Sequence, residues 1–463
     1  MTMSQPMPGT QPLPLLQGCD DLAAPLAWDH DGQPISRRRY LQDVQQLAAA
    51  LPAGGPVLAM TADRYRFALA LGAAALRGQA SLMPPNHTPD TVARLRLLFP
   101  RAYAVSDGQQ PGIALPTVHF PAANGDAMHD VAIPLVPAAH KVAQVLTSGS
   151  TGQPVPHGKR WDQLVANVRG GARRIAEHIG RPDLQGVTIV GTVPAQHMYG
   201  FESTVLLPLV AGASFTSERP FFAGDIVRVL ASVPRPRVLV TTPLHLKTLL
   251  DANIQLPAVD LVLSATAPLS PQLAVRAEAA LGGPLVEIYG CTEAGQVAMR
   301  RPAVETEWQT HAGIVLAGDG EEVIVSGGHV PEPTRLADVL EVLSPTRFRL
   351  LGRSNDLINI AGKRSSLSHL NHHLNSIPGV QDGAFWLPPD GGSEAVVRLV
   401  AFVVAPDVSR QALLDALRDR VDAAFLPRRM VWLDSLPRDG TGKLPAARLA
   451  ELAQRLVGTG THG

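Results

Sequence analysis

From position 147 to 152 the chain reads Thr-Ser-Gly-Ser-Thr-Gly, four hydroxyl side chains and two glycines in a row. Small residues let a backbone come close to a phosphate, and the N–H groups and hydroxyls of such a run can point at its oxygens. Thr147, Ser148, Ser150 and Thr151 supply the hydroxyls; Gly149 and Gly152 supply freedom of φ and ψ. Phosphate binding is the chemistry on offer, although a Ser/Thr/Gly run by itself reads more readily as a plain surface loop. A Walker-type loop is excluded. It requires G-x-x-x-x-G-K-[ST], whereas here five residues separate Gly152 from Gly158-Lys159, and Arg160 stands where the hydroxyl belongs.

The run follows a strand-like segment at 142–146. It precedes Leu164, Val168, Ala172, Ile175 and Ile179, which have helical spacing. Upstream, Tyr40, Leu41, Val44, Leu47, Ala48 and Leu51 predict a helix over 38–51, followed by a buried strand at 56–60 and a helix at 65–76. Downstream, strands are expected at 187–195, 237–241 and 260–264, with helices at 201–209 and 271–281. Short apolar strands alternating with helices imply α/β layers with mostly parallel sheets. Beyond residue 310 the strands at 323–326, 339–343 and 348–351 are spaced closely enough for antiparallel sheet. A second change falls near Gly352-Arg353, where a small helix, a strand pair at 383–387 and 398–404, and a helix at 410–424 suggest a compact α+β unit.

The expected fold class is therefore α/β. Residues 1–353 form a large N-terminal domain of layered, mostly parallel sheets with helices plus a small β-rich subdomain. Residues 354–463 form a small α+β C-terminal domain joined by a hinge. Residues 1–20, polar and Pro-rich, read as a loose lead-in.

Composition narrows the function classes. The chain has 463 residues, too many for one simple domain, and 45% are hydrophobic, enough for real cores. Lys plus Arg equals Asp plus Glu, at 40 each, so net charge supplies no reason to expect nucleic acid as a partner. Two distant cysteines, Cys19 and Cys291, make neither a disulfide framework nor a Cys-based zinc site, which suits a reducing cytoplasm. The start of the chain has no secretory pattern, and no apolar run reaches the roughly 18 residues of a membrane span.

Six further segments follow in order. They are Pro194-Ala-Gln-His197-Met198-Tyr199-Gly200; Ser264-Ala-Thr266-Ala-Pro-Leu269; Glu287-Ile288-Tyr289-Gly290-Cys-Thr292-Glu293; Thr334-Arg-Leu-Ala-Asp338; Gly352-Arg353-Ser-Asn355-Asp356; and Pro437-Arg-Asp-Gly-Thr-Gly-Lys443. With the 147–154 run, this series resembles the adenylate-forming enzymes: acyl- and aryl-CoA synthetases, carrier-protein ligases, peptide-synthetase adenylation domains and luciferases. The resemblance covers roughly residues 140–448, and ordered motifs are far more specific together than singly. In its short length and hinge wording the chain looks most like stand-alone acyl or aryl carrier-protein ligases of bacterial aryl polyene and xanthomonadin-type pigment clusters.

The resemblance implies that a carboxylate attacks the α-phosphorus of ATP and pyrophosphate leaves, a reaction driven by positioning and electrostatic stabilisation. By it, ATP is bound by Thr147, Ser148, Gly149, Ser150, Thr151, Gly152, Thr266, Glu287, Ile288, Tyr289, Thr292, Asp338, Arg353 and Lys443. Glu293 would hold Mg²⁺, a hard ion that takes oxygen ligands. Thr292 would offer a hydroxyl to the α-phosphate, and Asp338 would accept from the ribose hydroxyls. Lys443, on a Gly-flanked loop, would enter the site for adenylation and withdraw afterwards. His197, Met198, Tyr199, Phe201 and Gly290 would line the acid pocket, with His197 catalytic beside Lys443, Thr292 and Glu293. Tyr199 and Phe201 are equally readable as core.

Departures from the family pattern matter too. The phosphate loop usually continues Pro-Lys; here Val155 follows Pro154, and the nearest lysine is Lys159. Asn355 takes the hinge position and Asn359 the place of a lysine. The acceptor is expected to be coenzyme A or the phosphopantetheine of an acyl carrier protein, with Lys363, Arg364, Arg428 and Arg429 able to meet an acidic carrier. A hydroxybenzoate-like aromatic acid is the first substrate expectation. Medium-chain fatty acids, a non-catalytic nucleotide- or carrier-binding module and a luciferase-like oxidation are the alternatives.

Overall fold

The structure is a computed structural model. It describes residues 11–108, 113–122, 131–148, 154–267, 269–353, 357–360, 363–388, 399–438 and 444–457. Two large sheets organise the first 353 residues. One has six strands in the order Pro154–Arg160, Lys141–Ser148, Ser81–Met83, Val57–Met60, Tyr103–Ser106, Thr117–His119. All its pairings are parallel except the first. The other has eleven strands. Its centre runs parallel through Leu285–Cys291, Leu261–Ser264, Arg237–Thr241, Thr188–Gly191, Ser214–Thr216 and Pro25–Trp28. These strands are buried along most of their length, as parallel strands covered on both faces must be.

The α/β expectation with mostly parallel layers holds, but the switch to antiparallel pairing comes earlier than the strand spacing suggested. Leu285–Cys291 already pairs antiparallel with Gly295–Arg300, which pairs with Trp308–Thr310, then Arg347–Arg353 and Asp338–Ser344. Two glycines make this tight reversal possible. A Cβ on Gly290 would lie 2.2 Å from the Gly295 carbonyl oxygen, and Gly295 has φ +77°. A separate three-stranded sheet, Ile314–Ala317, Ile324–Gly327 and Val330–Arg335, accounts for the β-rich subdomain.

Other local readings need correction. The helix expected at 201–209 is Met198–Gly200, a π-helical stretch Phe201–Leu206 and then Leu207–Ala211. Pro208 has no N–H for the carbonyl of Thr204, so an ordinary helical ladder cannot run through. Residues 11–20 are not a loose lead-in. Leu13–Pro14 pairs with Leu135–Val136, and Leu15 and Leu16 are each 1% exposed in the main core. The segment between the phosphate run and the helix Trp161–His178 is itself a strand, Pro154–Arg160.

Past residue 357 a short hairpin, Leu357–Ile360 with Lys363–Ser366, leads to the helix Leu367–Asn375. A sheet of Asp382–Trp386, Val400–Val404 and Arg429–Trp432 follows, with helices Arg410–Arg418 and Ala446–Val457. The apolar clusters of residues 358–456 share no member with those of residues 13–350. Among the described residues no helix is long and apolar enough to cross a membrane.

Candidate active site

Lys141–Ser148 and Pro154–Arg160 form an antiparallel hairpin in which Thr147 faces Val155 and Ser148 faces Pro154. In sequence, the phosphate run joins these two strands. Gly149, Ser150, Thr151 and Gly152 themselves lie outside the described residues, as do Asn355 and Lys443.

The motifs at 194–200, 264–269 and 287–293 follow the carboxyl ends of the central parallel strands, where open α/β sheets bind ligands. Thr192 follows the strand Thr188–Gly191; its hydroxyl donates to Thr241 Oγ1 at 3.0 Å and lies 3.2 Å from His245 Nδ1. Tyr199 reaches across the same ends, its hydroxyl 2.8 Å from the Leu263 carbonyl and 3.1 Å from that of Thr241. His197 occupies the N-cap of the first helical turn and is half-buried, with Met198 packed against the core edge. Phe201 is fully buried, its ring edge-on to Phe67 at 6.5 Å, so of its two readings the core one describes its surroundings.

The turn after Leu261–Ser264 has the marks of a binding segment. Thr266 sits at φ +80°, a region β-branched residues avoid and one that recurs at ligand sites. Among the described residues, its hydroxyl and that of Ser264 are buried without a hydrogen-bond partner. Polar atoms stranded in this way fit a polar ligand such as an adenine edge. Glu287, 3% exposed, accepts the Leu269 amide at 3.2 Å and pairs with Arg300 at 2.8 Å, so it shapes this turn from behind. Burial raises its pKa and Arg300 opposes that rise. Ile288 is 8% exposed beside it.

Tyr289 connects two motifs read separately in the sequence. Its hydroxyl donates to Asp338 Oδ2 at 2.7 Å, and its ring packs against Phe348 and Trp308 with centroids 5.2 and 5.6 Å away. Asp338 in turn faces Arg353 across the antiparallel pair, so the two expected ribose-side residues share one register position. Arg438, in the terminal motif, is anchored in a two-bond fork on Asp382, each bond 2.7 Å.

Thr292 and Glu293 sit at the reversal after Leu285–Cys291, with the Glu293 side chain 50% exposed and 3.9 Å from His157 Nε2. Among the described residues no group of three His, Cys, Asp or Glu side chains could hold a metal alone. A half-exposed carboxylate instead fits Mg²⁺ shared with the oxygens of a bound phosphate.

Several residues here escaped the sequence reading. Arg64 is 2% exposed and donates to the carbonyls of Thr216 (2.7 Å), Gly191 (2.9 Å), Glu218 (3.0 Å) and Val193 (3.3 Å), and to Thr204 Oγ1 (3.0 Å). It begins the helix after Val57–Met60 and so ties the six-stranded sheet to the strand ends of the eleven-stranded one. An arginine at the start of a largely apolar helix was its local signal. Lys159, 8% exposed, donates to the carbonyls of Thr292 and, at 3.2 Å, of Glu293. Glu202, 3% exposed on the π-helical stretch, is bonded by Asn167 and Gln296, and desolvation pushes its pKa up to about 7 against the pull of Lys159.

Comparison with known proteins agrees with this geometry. The profile of the AMP-binding enzyme family matches residues 100–334, just over half of the chain. A 4-coumarate–CoA ligase of Rhodobacter capsulatus is 31% identical over 315 residues, covering 67% of this chain and 77% of that protein. An isonitrile lipopeptide synthase of Streptomyces coeruleorubidus is 27% identical over 495 residues, covering 92% of this chain and 32% of the synthase. Among solved structures, ATP-bound MatB from Rhodopseudomonas palustris has a TM-score of 0.77 at 19% identity, covering 94% of this chain and 97% of that one. The anthranilate CoA ligase AuaEII with anthranoyl-AMP reaches 0.78 at 16% identity, covering 96% and 99%. These two likenesses concern the fold, whereas the profile and the ligase relative identify the lineage: the chain belongs to the family of AMP-binding enzymes, within the adenylate-forming superfamily.

Proposed function

We propose that the protein joins a carboxylic acid to AMP, releasing pyrophosphate, and then passes the acyl group to a thiol. The observation that carries this reading is the tie between Lys159 and the Thr292–Glu293 carbonyls, which brings the phosphate-loop hairpin and the Thr-Glu motif to one place. Asp338, steadied by Tyr289, would accept the ribose hydroxyls. Glu293 would hold Mg²⁺, which supplies positive charge to the phosphate oxygens as pyrophosphate departs. The polar atoms at Ser264 and Thr266 await the base. Lys443, carried on the proposed C-terminal domain 354–463, would bridge acid and phosphate, with Asn355 as the pivot that later withdraws it. The separation of apolar clusters near residue 350 supports that division.

An aromatic acid such as 4-hydroxybenzoate remains the first substrate choice. The names of the coumarate and anthranilate ligases favour an aryl acid over a medium-chain fatty acid. The thiol is that of coenzyme A or an acyl carrier protein, and two reduced thiols, Cys19 and Cys291, suit work in the cytoplasm. Of the four cations considered for a carrier, Lys363 is engaged by Asp422 and Arg429 by the Leu456 carbonyl, which leaves the carrier reading resting on family likeness.

The test is ATP–pyrophosphate exchange with 4-hydroxybenzoate, benzoate and octanoate side by side. Acid-dependent exchange, fastest with an aryl acid, is expected. Tight ATP binding without exchange on any acid of a broad panel would replace this reading with that of a non-catalytic module.

A further inference from the structure

Alternate residues of a strand share a face. On Pro154–Arg160 that places Val155, His157 and Lys159 together. Val155 is 43% exposed and brings no charge. His157 lies 3.9 Å from the Glu293 carboxylate, and Lys159 gives its ammonium to the carbonyls of Thr292 and Glu293. The positive charge absent at 155 is thus supplied four residues along the same face, by Lys159, and it is directed at the Thr-Glu turn.

The turn is gripped from other sides by backbone contacts. Asn167 Oδ1 accepts the Gln296 amide at 3.2 Å, and the Asn167 amide donates to Glu202. His329 Nε2 lies 2.8 Å from the Ala294 carbonyl. A Cβ on Gly295 would meet Asn167 Nδ2 at 2.9 Å, so the turn and the helix carrying Asn167 are in direct contact. Lysine has three donors and no acceptor, and here two of them go to main-chain oxygens rather than to the carboxylate that faces outward.

We infer that Lys159 is a positioning residue: it fixes the Thr292–Glu293 turn against the hairpin of Lys141–Ser148 and Pro154–Arg160, so that the Glu293 carboxylate is held where it meets Mg·ATP. The inference rests on the reading of Glu293 as the residue that holds Mg²⁺.

The experiment measures ATP binding by calorimetry with and without Mg²⁺, together with pyrophosphate exchange, on Lys159→Met, Lys159→Arg and the double variant Lys159→Met/Glu202→Gln. The double variant removes both buried charges at once, which avoids an unpaired ion in the core and preserves folding. It should melt like the parent yet bind Mg·ATP at least tenfold more weakly, while binding of metal-free ATP and the KM for the acid change less than twofold. Amides of residues 291–296 should exchange faster in the same variant, and Lys159→Arg should recover part of the loss. A folded double variant with unaltered Mg·ATP affinity overturns the role of Lys159. Glu293→Gln separates the two claims. If it leaves Mg²⁺ dependence intact, the Glu293 reading falls and the inference with it; if it abolishes that dependence while the double variant does not, only the inference falls.

Discussion

The Tyr289 hydroxyl sits 2.7 Å from Asp338 Oδ2, across 49 residues of sequence. One carboxylate oxygen is thereby oriented, which would set the angle at which Asp338 meets the ribose proposed for it. Tyr289→Phe keeps the ring against Trp308 and Phe348 but removes that restraint. ATP KM should rise several-fold and kcat change little, because a hydrogen bond to a charged group contributes about 1.5–3 kcal/mol and only part of it is transmitted to ligand binding. Asp338→Asn should raise ATP KM further. Steady-state exchange kinetics with ATP varied would check both, and equal effects on the KM of ATP and acid would contradict them.

Arg64 is the strongest stability prediction. Burial lowers its pKa to about 10, so it stays charged at neutral pH, with its donors spread over four carbonyls and a hydroxyl. Arg64→Met should cost on the order of 3–5 kcal/mol, as removing one side of a buried charged network does. Lysine should restore less than half, since an ammonium lacks the planar fork. Urea denaturation of the two variants provides the measurement.

These residues show where the sequence could and could not be read. Strongly periodic apolar elements were plain: the strand at 237–241 and the helix at 271–281 appear with the expected bounds. The strand Pro154–Arg160 was hidden because Pro154, Pro156 and Gly158 are poor strand formers, tolerated there only because the strand lies at a sheet edge. The early antiparallel reversal depended on a close backbone approach at Gly290 that no composition rule reports. Lys159 and Thr292 are 133 residues apart, and such pairings follow from topology rather than from local pattern. The motifs were therefore legible one by one, while the side chains that hold them in place were not.

Glu202 should make stability depend on pH. Its carboxyl keeps a proton to about pH 7 when folded, against 4.5 for the ordinary group. Between those values the folded state binds more protons than the unfolded one, so stability is greatest below 4.5 and is lost as pH rises through 7. The loss across the window should be on the order of 2–3 kcal/mol. Denaturation at pH 5 and pH 8 should show a smaller difference for Glu202→Gln than for the parent protein; identical differences would mean that Glu202 does not titrate in this range.

Lys247, on the helix Pro243–Asp251, donates to the carbonyls of Gln381 and, at 2.8 Å, of Val380, next to the Asp382 that anchors Arg438. Lys247→Met should release this fastening. Faster amide exchange in Asp382–Trp386 is expected. Unchanged exchange there would show that the contact does not hold the strand.

Because the strand Pro154–Arg160 lies at the rim of the six-stranded sheet, its outer side offers main-chain groups to any other chain that approaches. Pro154 and Pro156 remove two donors from that rim, and a buried lysine interrupts the apolar pattern a few residues on. The residues that make this strand hard to recognise also guard it against strand addition by a second copy. Restoring ordinary strand-forming residues there would expose the nucleotide loop to self-association, and solubility as well as catalysis would then constrain what can follow Gly152.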